Sequence, residues 1–343
     1  VQPDAFLFDR SNVMEKCRAF AIVVAGILHF GMTYTANAAD SKGALSVSLE
    51  NDAFTINNDG HYTSGLEISY VSDSYMPNWF YKAISWLPFY DLGDEARFSW
   101  SLGQKMFTPE DIKQESLIVN DRPYAGWLFT SIGLITEKRY ATARHVESLE
   151  IILGVVGPNS GAENTQRILH DYLGTAEPKG WDNQLHDEYT ADLRYRRAWL
   201  VPVIGKYVDV LPTAGFTFGT SQRFVEGGFG LRLGNNIDSD YGPPLIRPSI
   251  TGSHYFRAER KFYWYLFAAV QGQYVDYNVF LDGNRDGNSH SVVRNDWVGE
   301  LQSGIVMGYD NWRLSLTSVR RSREFELQRE PDKFGSITFS YRF

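Results

Sequence analysis

The chain ends in Ser336-Ile337-Thr338-Phe339-Ser340-Tyr341-Arg342-Phe343. Ile337, Phe339, Tyr341 and Phe343 alternate with Ser336, Thr338, Ser340 and Arg342, so a strand made from this stretch carries one apolar and one polar face. The same period recurs on the way back to the N-terminus. Leu149, Ile151, Leu153 and Val155 share one parity, and Phe98, Trp100, Leu102 and Met106 oppose Arg97, Ser99, Ser101 and Lys105. Leu45, Val47 and Leu49 oppose Ser46, Ser48 and Glu50. Residues 262–277 are aromatic on both faces, with Gln271 and Gln273 on one. Similar segments lie near 62–72, 124–136, 188–200, 212–221, 227–235, 297–307 and 311–319. About a dozen strands are expected, and no run after residue 38 is apolar enough to span a bilayer as a helix.

Alternation of this kind suits a β-sandwich or a membrane barrel. The aromatic share of 15%, with 22 Phe, 20 Tyr and 9 Trp, favours the barrel. A mean hydropathy of -0.31 is no obstacle, because only alternate residues of such a barrel face lipid. A terminal strand that finishes on Phe343 resembles the last strand of bacterial outer-membrane barrels. The expected fold is therefore all-β: a transmembrane antiparallel β-barrel of about twelve strands, closed so that lipid meets no open edge. Both termini are expected on the periplasmic side, with long loops outside and short turns inside.

Residues 1–38 read as an address. Met14 is a natural start, Met14-Glu-Lys-Cys-Arg18 a charged opening, Ala19–Leu28 an apolar core and Ala36-Asn37-Ala38 a cleavage site. Residues 39–343 then form one outer-membrane barrel. The formal net charge of -8 argues against a nucleic-acid partner. A single cysteine, Cys17, excludes a disulfide framework and any cysteine-based metal site.

Between the strands ending near Val156 and starting near Glu188 lies a loop too long to be structureless. Ser160 and Glu163 have capping-box spacing, Ile168, Leu169, Tyr172 and Leu173 form an apolar helical face, and Gly174 and Pro178 supply a stop. A short helix carrying His170 is expected there, in an extracellular loop, either plugging the mouth or serving a site.

The first hairpin concentrates oxygen donors: Glu50-Asn51-Asp52, Asp59 and Tyr62-Thr63-Ser64-Gly65. If Leu45, Val47 and Leu49 face lipid, then Glu50, Asp52, Thr63 and Glu67 face the lumen, a hard-oxygen set suited to Ca²⁺ or Mg²⁺. Strict alternation points Asn51 outward, so its use as a ligand there requires a bulge or a strand end. A solvated Asx-rich turn would show the same residues. His61, His145, His170, His186, His254 and His290 remain after residue 38. No G-x-S-x-G, phosphate-binding glycine loop or H-E-x-x-H occurs, which leaves a histidine base with a metal as the available hydrolytic kit.

Six pieces in order carry a resemblance: Val47-Ser-Leu-Glu-Asn-Asp52, Asp59-Gly-His-Tyr-Thr-Ser-Gly65, Asp121-Arg-Pro-Tyr-Ala-Gly126, Val155-Val-Gly-Pro158, Gln166-Arg-Ile-Leu-His170 and Gly180-Trp-Asp-Asn-Gln-Leu185. The chain resembles the outer-membrane lipid A 3′-O-deacylases (LpxR-type). The resemblance implies a twelve-stranded barrel with a calcium-dependent site between the wall and a loop helix. It also implies hydrolysis of the 3′-acyloxyacyl ester of lipopolysaccharide. Asn51 and Asp52 would then support the metal and oxyanion, Thr63 would lie beside them, and His170 would be the general base. A glutamate shortly after the histidine belongs to the family site. Glu177 is nearest, one residue beyond the family spacing, where Ala176 stands, and Glu188 is the next candidate. Lys105 and Arg122 would meet lipid A phosphates. The chain is expected to act as a monomer. A non-enzymatic barrel or a phospholipid esterase would show much of the same sequence.

Overall fold

The computed structural model describes residues 43–54, 62–73, 94–243 and 259–343, together with Lys82 and Phe256. The signal-like segment, Asp59, His61 and His254 lie outside them. Twelve strands follow one another as β1 (Gly43–Asn51), β2 (Tyr62–Ser72), β3 (Glu95–Phe107), β4 (Ala125–Arg139), β5 (Arg144–Val156) and β6 (Glu188–Ile204). They continue as β7 (Val208–Gly219), β8 (Gln222–Asn235), β9 (Glu259–Asn278), β10 (Trp297–Asp310), β11 (Trp312–Arg321) and β12 (Asp332–Arg342). Each pairs antiparallel with its chain neighbours, and β1 closes on β12. The terminal stretch seals the sheet: Val47 faces Phe339 and Leu49 faces Ile337, while Ser46 and Ser48 bond Ser340 and Thr338 inside. No sheet edge remains among these strands.

The strand ends nearest the chain termini form one end of the barrel, and the connections 52–61, 108–124, 157–187, 220–221, 279–296 and 322–331 form the other, here called the rim. The expectation of short turns at the terminal end holds for 140–143 and 205–207 but not for 73–94 or 236–258. Conversely, β7 and β8 meet at the rim through residues 220–221 alone. The first residues of the long terminal-end segment, 236–243, have a structural task. Among them Asp240 is buried in the lumen, where it accepts from Arg232 (2.6 Å), Arg313 (3.1 Å), the Tyr265 hydroxyl (2.6 Å) and the Gly242 amide (3.0 Å). Tyr241 beside it accepts from Arg97.

The lumen is filled by unequal walls. β1 to β4 and β12 contribute small hydroxyls such as Ser48, Ser69, Ser99, Ser101, Ser131 and Thr338, all buried. β6 to β10 contribute long side chains, among them Arg194, Arg196, Glu226, Gln271 and Gln302, also buried. Small residues facing large ones let long side chains reach across the interior. Buried arginines are matched by carboxylates or amides, as desolvation demands. The outward face is apolar in its middle, for example Ile151, Leu153, Val225 and Val270. Exposed aromatics flank it: Tyr189, Phe218 and Trp297 towards the rim, and Tyr207, Tyr309 and Trp312 at the terminal end. That is the exterior a bilayer requires.

Candidate active site on the outer face of the wall

Helix α1 (Ala162–Leu173) occupies the long loop after β5. Its start differs from a capping box. Gly161, in the left-handed region at φ 69°, is the N-cap, and Ser160 closes a preceding 3-10 turn by donating to the Gly157 carbonyl at 2.6 Å. Glu163 pairs instead with Arg167, one turn on. The stop is as the sequence suggested: Gly174 is left-handed at φ 62°, and Thr175 N–H bonds the His170 carbonyl.

The apolar stripe does not pack inward. Ile168 is 68% and Tyr172 56% exposed, whereas Ala162 and Gln166 are buried. Trp181, returning from the helix, donates to Gln166 at 2.7 Å and joins Met106, Tyr124 and Ala162 in a small core. Burial pushes the Tyr124 phenol up to about 12, and its hydroxyl donates to the Ile112 carbonyl.

Register fixes which side of the wall this core occupies. Lys105 and Trp127 face each other on the luminal parity, Trp127 packing against Phe280 of the one-turn helix α2 (Val279–Asp282). Their neighbours Gln104, Met106 and Gly126 therefore face outward. Gln104 donates to the Ser160 carbonyl at 2.7 Å, and a methyl on Gly126 would lie 2.1 Å from Ser160 Oγ. Helix α1 thus lies against the outside of the wall and is not a plug.

The end of β1 shares that face. Asn51 is opposite Ser64, Ser64 opposite Met106 and Met106 opposite Gly126. Three inter-strand spacings of about 4.8 Å put Asn51 and Gly126 about 14 Å apart along one row. Asn51 ends its strand, and Asp52, buried at 8% exposure, opens a 3-10 turn. The outward parity of Asn51 is therefore no obstacle, because helix α1 is also outside. Thr63 is the extra residue of a bulge between Tyr62 and Ser64, and only its backbone is described.

His170 is half-buried, and its Nδ1 lies 2.5 Å from the Ala176 carbonyl. A carbonyl only accepts, so Nδ1 carries the proton and Nε2 keeps its lone pair. The ring is thus oriented by a backbone atom at position 176. Glu177 is exposed, and Glu188 is committed elsewhere, to Arg285 and Asn284 of the β9–β10 loop. No described contact joins either glutamate to His170.

The two residues expected to meet phosphates are both paired with carboxylates. Arg122 is 1% exposed, donates to Glu324 at 3.0 Å and stacks over Phe107. Lys105 lies 3.5 Å from Glu50 on the luminal side. Glu67, opposite Ser48, is luminal too. The luminal carboxylate Glu50 therefore answers a lysine. Among the described residues, no three acidic, histidine or cysteine side chains form a metal-binding group.

A family model described as "Outer membrane protein LpxR" matches residues 20–343. The chain belongs to the LpxR family. LpxR from Salmonella typhimurium has the same fold, with a TM-score of 0.70 at 21% identity over 88% of this chain and all of that one. Two other barrels are less similar. The β domain of the Bordetella autotransporter BrkA has a TM-score of 0.44 at 10% identity, covering 89% of this chain and 100% of that one. The translocator domain of NalP from Neisseria meningitidis has 0.40 at 10% identity, covering 96% and 99%. No curated protein matches in sequence. As an LpxR-family barrel the chain is a bacterial outer-membrane protein.

Proposed function

We propose that this LpxR-family barrel is a calcium-dependent lipid A 3′-O-deacylase, hydrolysing the 3′-acyloxyacyl ester of lipopolysaccharide in the outer leaflet. The observation that carries this reading is the setting of His170. Its imidazole is held by Ala176 with Nε2 free to accept a proton, on a helix packed against the lipid side of the wall. A general base there meets an ester at the membrane interface without the substrate having to enter the barrel. Nε2 takes a proton from water as the oxygen attacks the acyl carbonyl, and returns it to the sugar hydroxyl that leaves. Family membership supports the substrate class.

Asn51 and Asp52 would hold the cation. A buried carboxylate beside an amide at a strand end is a hard-oxygen pair, and the remaining ligands would be water, backbone or substrate oxygens. Bound there, Ca²⁺ would stabilise the oxyanion of the ester. Ser64, opposite Asn51 and buried, keeps the row from Asn51 to the helix compact.

The test is a lipid A mass spectrum from cells with the wild-type chain, with His170→Ala, and from purified protein with chelator. Loss of the 3′-acyloxyacyl mass should occur with wild type only. Unchanged processing by His170→Ala would refute the histidine base. An unchanged lipid A mass with wild type, alongside cleaved phospholipid, would make the protein a phospholipid esterase. A non-enzymatic pore would alter neither.

A further inference from the structure

Helix α1 buries one side and turns the other away from the barrel. Ala162 and Gln166 are buried towards the wall, where Gln166 accepts from Trp181. Ile168 and Tyr172, four residues apart, are neighbours on the helix surface. At 3.6 residues per turn they stand about 160° and about 120° around the axis from Gln166. Both are largely exposed, as reported above. Charged residues flank them: Glu163 pairs with Arg167, and Asp171 is exposed. The outer side of the helix is thus a short apolar stripe between polar edges, which is the pattern of a helix lying at a membrane interface.

The level of the helix on the wall decides what meets that stripe. Gln104 of β3 holds the start of the helix through the Ser160 carbonyl, and Gly126 of β4 lies beneath Ser160 and Ala162. The next outward residues of β3 towards the terminal end are Leu102 and Trp100, both exposed, and Ile132 of β4 and Leu153 and Ile151 of β5 continue the same apolar surface. Leu102 is two residues from Gln104. That is about 6.6 Å along the strand, or about 5 Å of height at a tilt of about 40°. A helix with its side chains is about 10 Å across, so one that rests on Gln104 and Gly126 overlaps the edge of the lipid-facing band. Interfacial helices bury their apolar side about 5–10 Å into the boundary between headgroups and acyl chains, which is the same range.

We propose that Ile168 and Tyr172 insert into the bilayer at the rim end of the apolar band, so that lipid clamps helix α1 against the wall. The inference rests on the outer-membrane location and on the packing of the helix, and it stands whether or not the protein is a deacylase. The occupant of the stripe is the headgroup–acyl boundary of the surrounding lipid, continuous with the lipid that covers Leu102 and Leu153. Ile168 offers that boundary a purely apolar side chain. Tyr172 offers a ring whose hydroxyl can stay among the headgroups. The bilayer thereby helps to position the helix that carries His170.

The experiment uses the full-length chain with Cys17→Ser, so that one introduced cysteine is the sole thiol. A nitrobenzoxadiazole probe is attached in turn at Ile168→Cys, Tyr172→Cys, Leu153→Cys and Asn288→Cys. Leu153 marks the lipid-facing band, and Asn288 is exposed in the rim connection 279–296. Each barrel is placed in phosphatidylcholine nanodiscs with or without bromine on the acyl chains. Quenching by bromine at 168 and 172 should approach that at 153, while 288 stays unquenched. Quenching at 168 and 172 no greater than at 288 overturns the proposal. So does a probe at 168 that is shielded from water but untouched by bromine, which is the outcome if a second copy covers the stripe.

A second measurement asks whether lipid holds the helix. Ile168→Gln/Tyr172→Gln removes the stripe while keeping good helix formers. Heat-modifiable gel mobility confirms assembly, and Trp181 emission confirms the outer core. Trypsin should then cut after the half-exposed Arg167 at least tenfold faster in the variant than in wild type, both in nanodiscs. Equal cutting overturns the clamp. The single labels decide insertion even where the double variant does not assemble. Neither readout involves catalysis, so a failure of the histidine base in His170→Ala is separate from a failure here.

Discussion

Gly126 offers a way to move helix α1 without touching any reacting group. A methyl added there would sit 2.1 Å from Ser160 Oγ and 2.3 Å from the Ala162 Cβ. Carbon atoms pack at about 3.5–4.0 Å, so Gly126→Ala must push the start of the helix outward by about 1.5 Å. The wall cannot yield instead, because Gly126 is held in register between β3 and β5, its carbonyl accepting from Gly157. A displacement of about 1 Å in a positioned catalytic group can cost about a hundredfold in rate. We therefore expect Gly126→Ala to lower lipid A deacylation about a hundredfold while the barrel assembles normally. Gly272→Ala is the control: it lies on the outward face of β9, where a new methyl meets nothing within 4 Å. Adding Ser160→Gly and Ala162→Gly to Gly126→Ala removes the colliding atoms and should restore part of the rate, at a cost of about 1 kcal/mol in helix propensity. The assay is initial rate on lipid A micelles, with Trp181 emission reporting whether the outer core has opened. Full activity in Gly126→Ala, with Trp181 emission shifted, would show that the helix position is irrelevant to catalysis.

Two further perturbations test other parts of the molecule. Asp240→Ala leaves Arg232 and Arg313 buried without their shared carboxylate, and breaking a buried pair from one side costs about 3–5 kcal/mol; the thermal unfolding midpoint should fall accordingly and planar-bilayer conductance should rise above that of the wild type. Tyr124, raised to about 12 by burial, fits the outer core as a neutral phenol. Its contribution is present below the unfolded value near 10 and is lost as pH rises through about 12. Helix release, followed by limited proteolysis after Gly174, should show that alkaline step in wild type and not in Tyr124→Phe.

The barrel was legible because two solvents impose period two. Every strand passes between lipid and a filled lumen, so each of the twelve segments announces itself by alternation, and the terminal stretch most clearly of all. The parity of β3 also contained the answer for Lys105: with Phe98, Trp100 and Leu102 outward, residue 105 must point in. The register that sets Asn51, Ser64, Met106 and Gly126 in one row was not readable, since it depends on where each strand starts. Helix α1 was visible as a helix, but its packed side was not. On the lipid side of a wall, both the buried and the exposed surfaces can be apolar, so Ile168 and Tyr172 advertised a face that remains uncovered. The partner of His170 was invisible for another reason. A backbone carbonyl has no residue type, so Ala176 stood at the family position in the sequence without being marked as the partner of the ring.

The position of the site also explains why the interior can be so densely charged. A transporter or pore must keep its lumen passable, which limits how many long side chains can cross it. Here Arg196, Glu226, Gln271 and the Asp240 clamp occupy that space, and nothing about chemistry on the outer face opposes it. A rigid, filled cylinder is the better support for a helix that must stand at a fixed distance from the wall. Under the proposed deacylase reading, an ester in the outer leaflet would lie at the level where β1 ends and helix α1 begins. Bringing it inside would require stripping lipid from several acyl chains, whereas an outward site leaves those chains in hydrocarbon and asks only the ester and headgroup to move. The same logic assigns the luminal cations to structure.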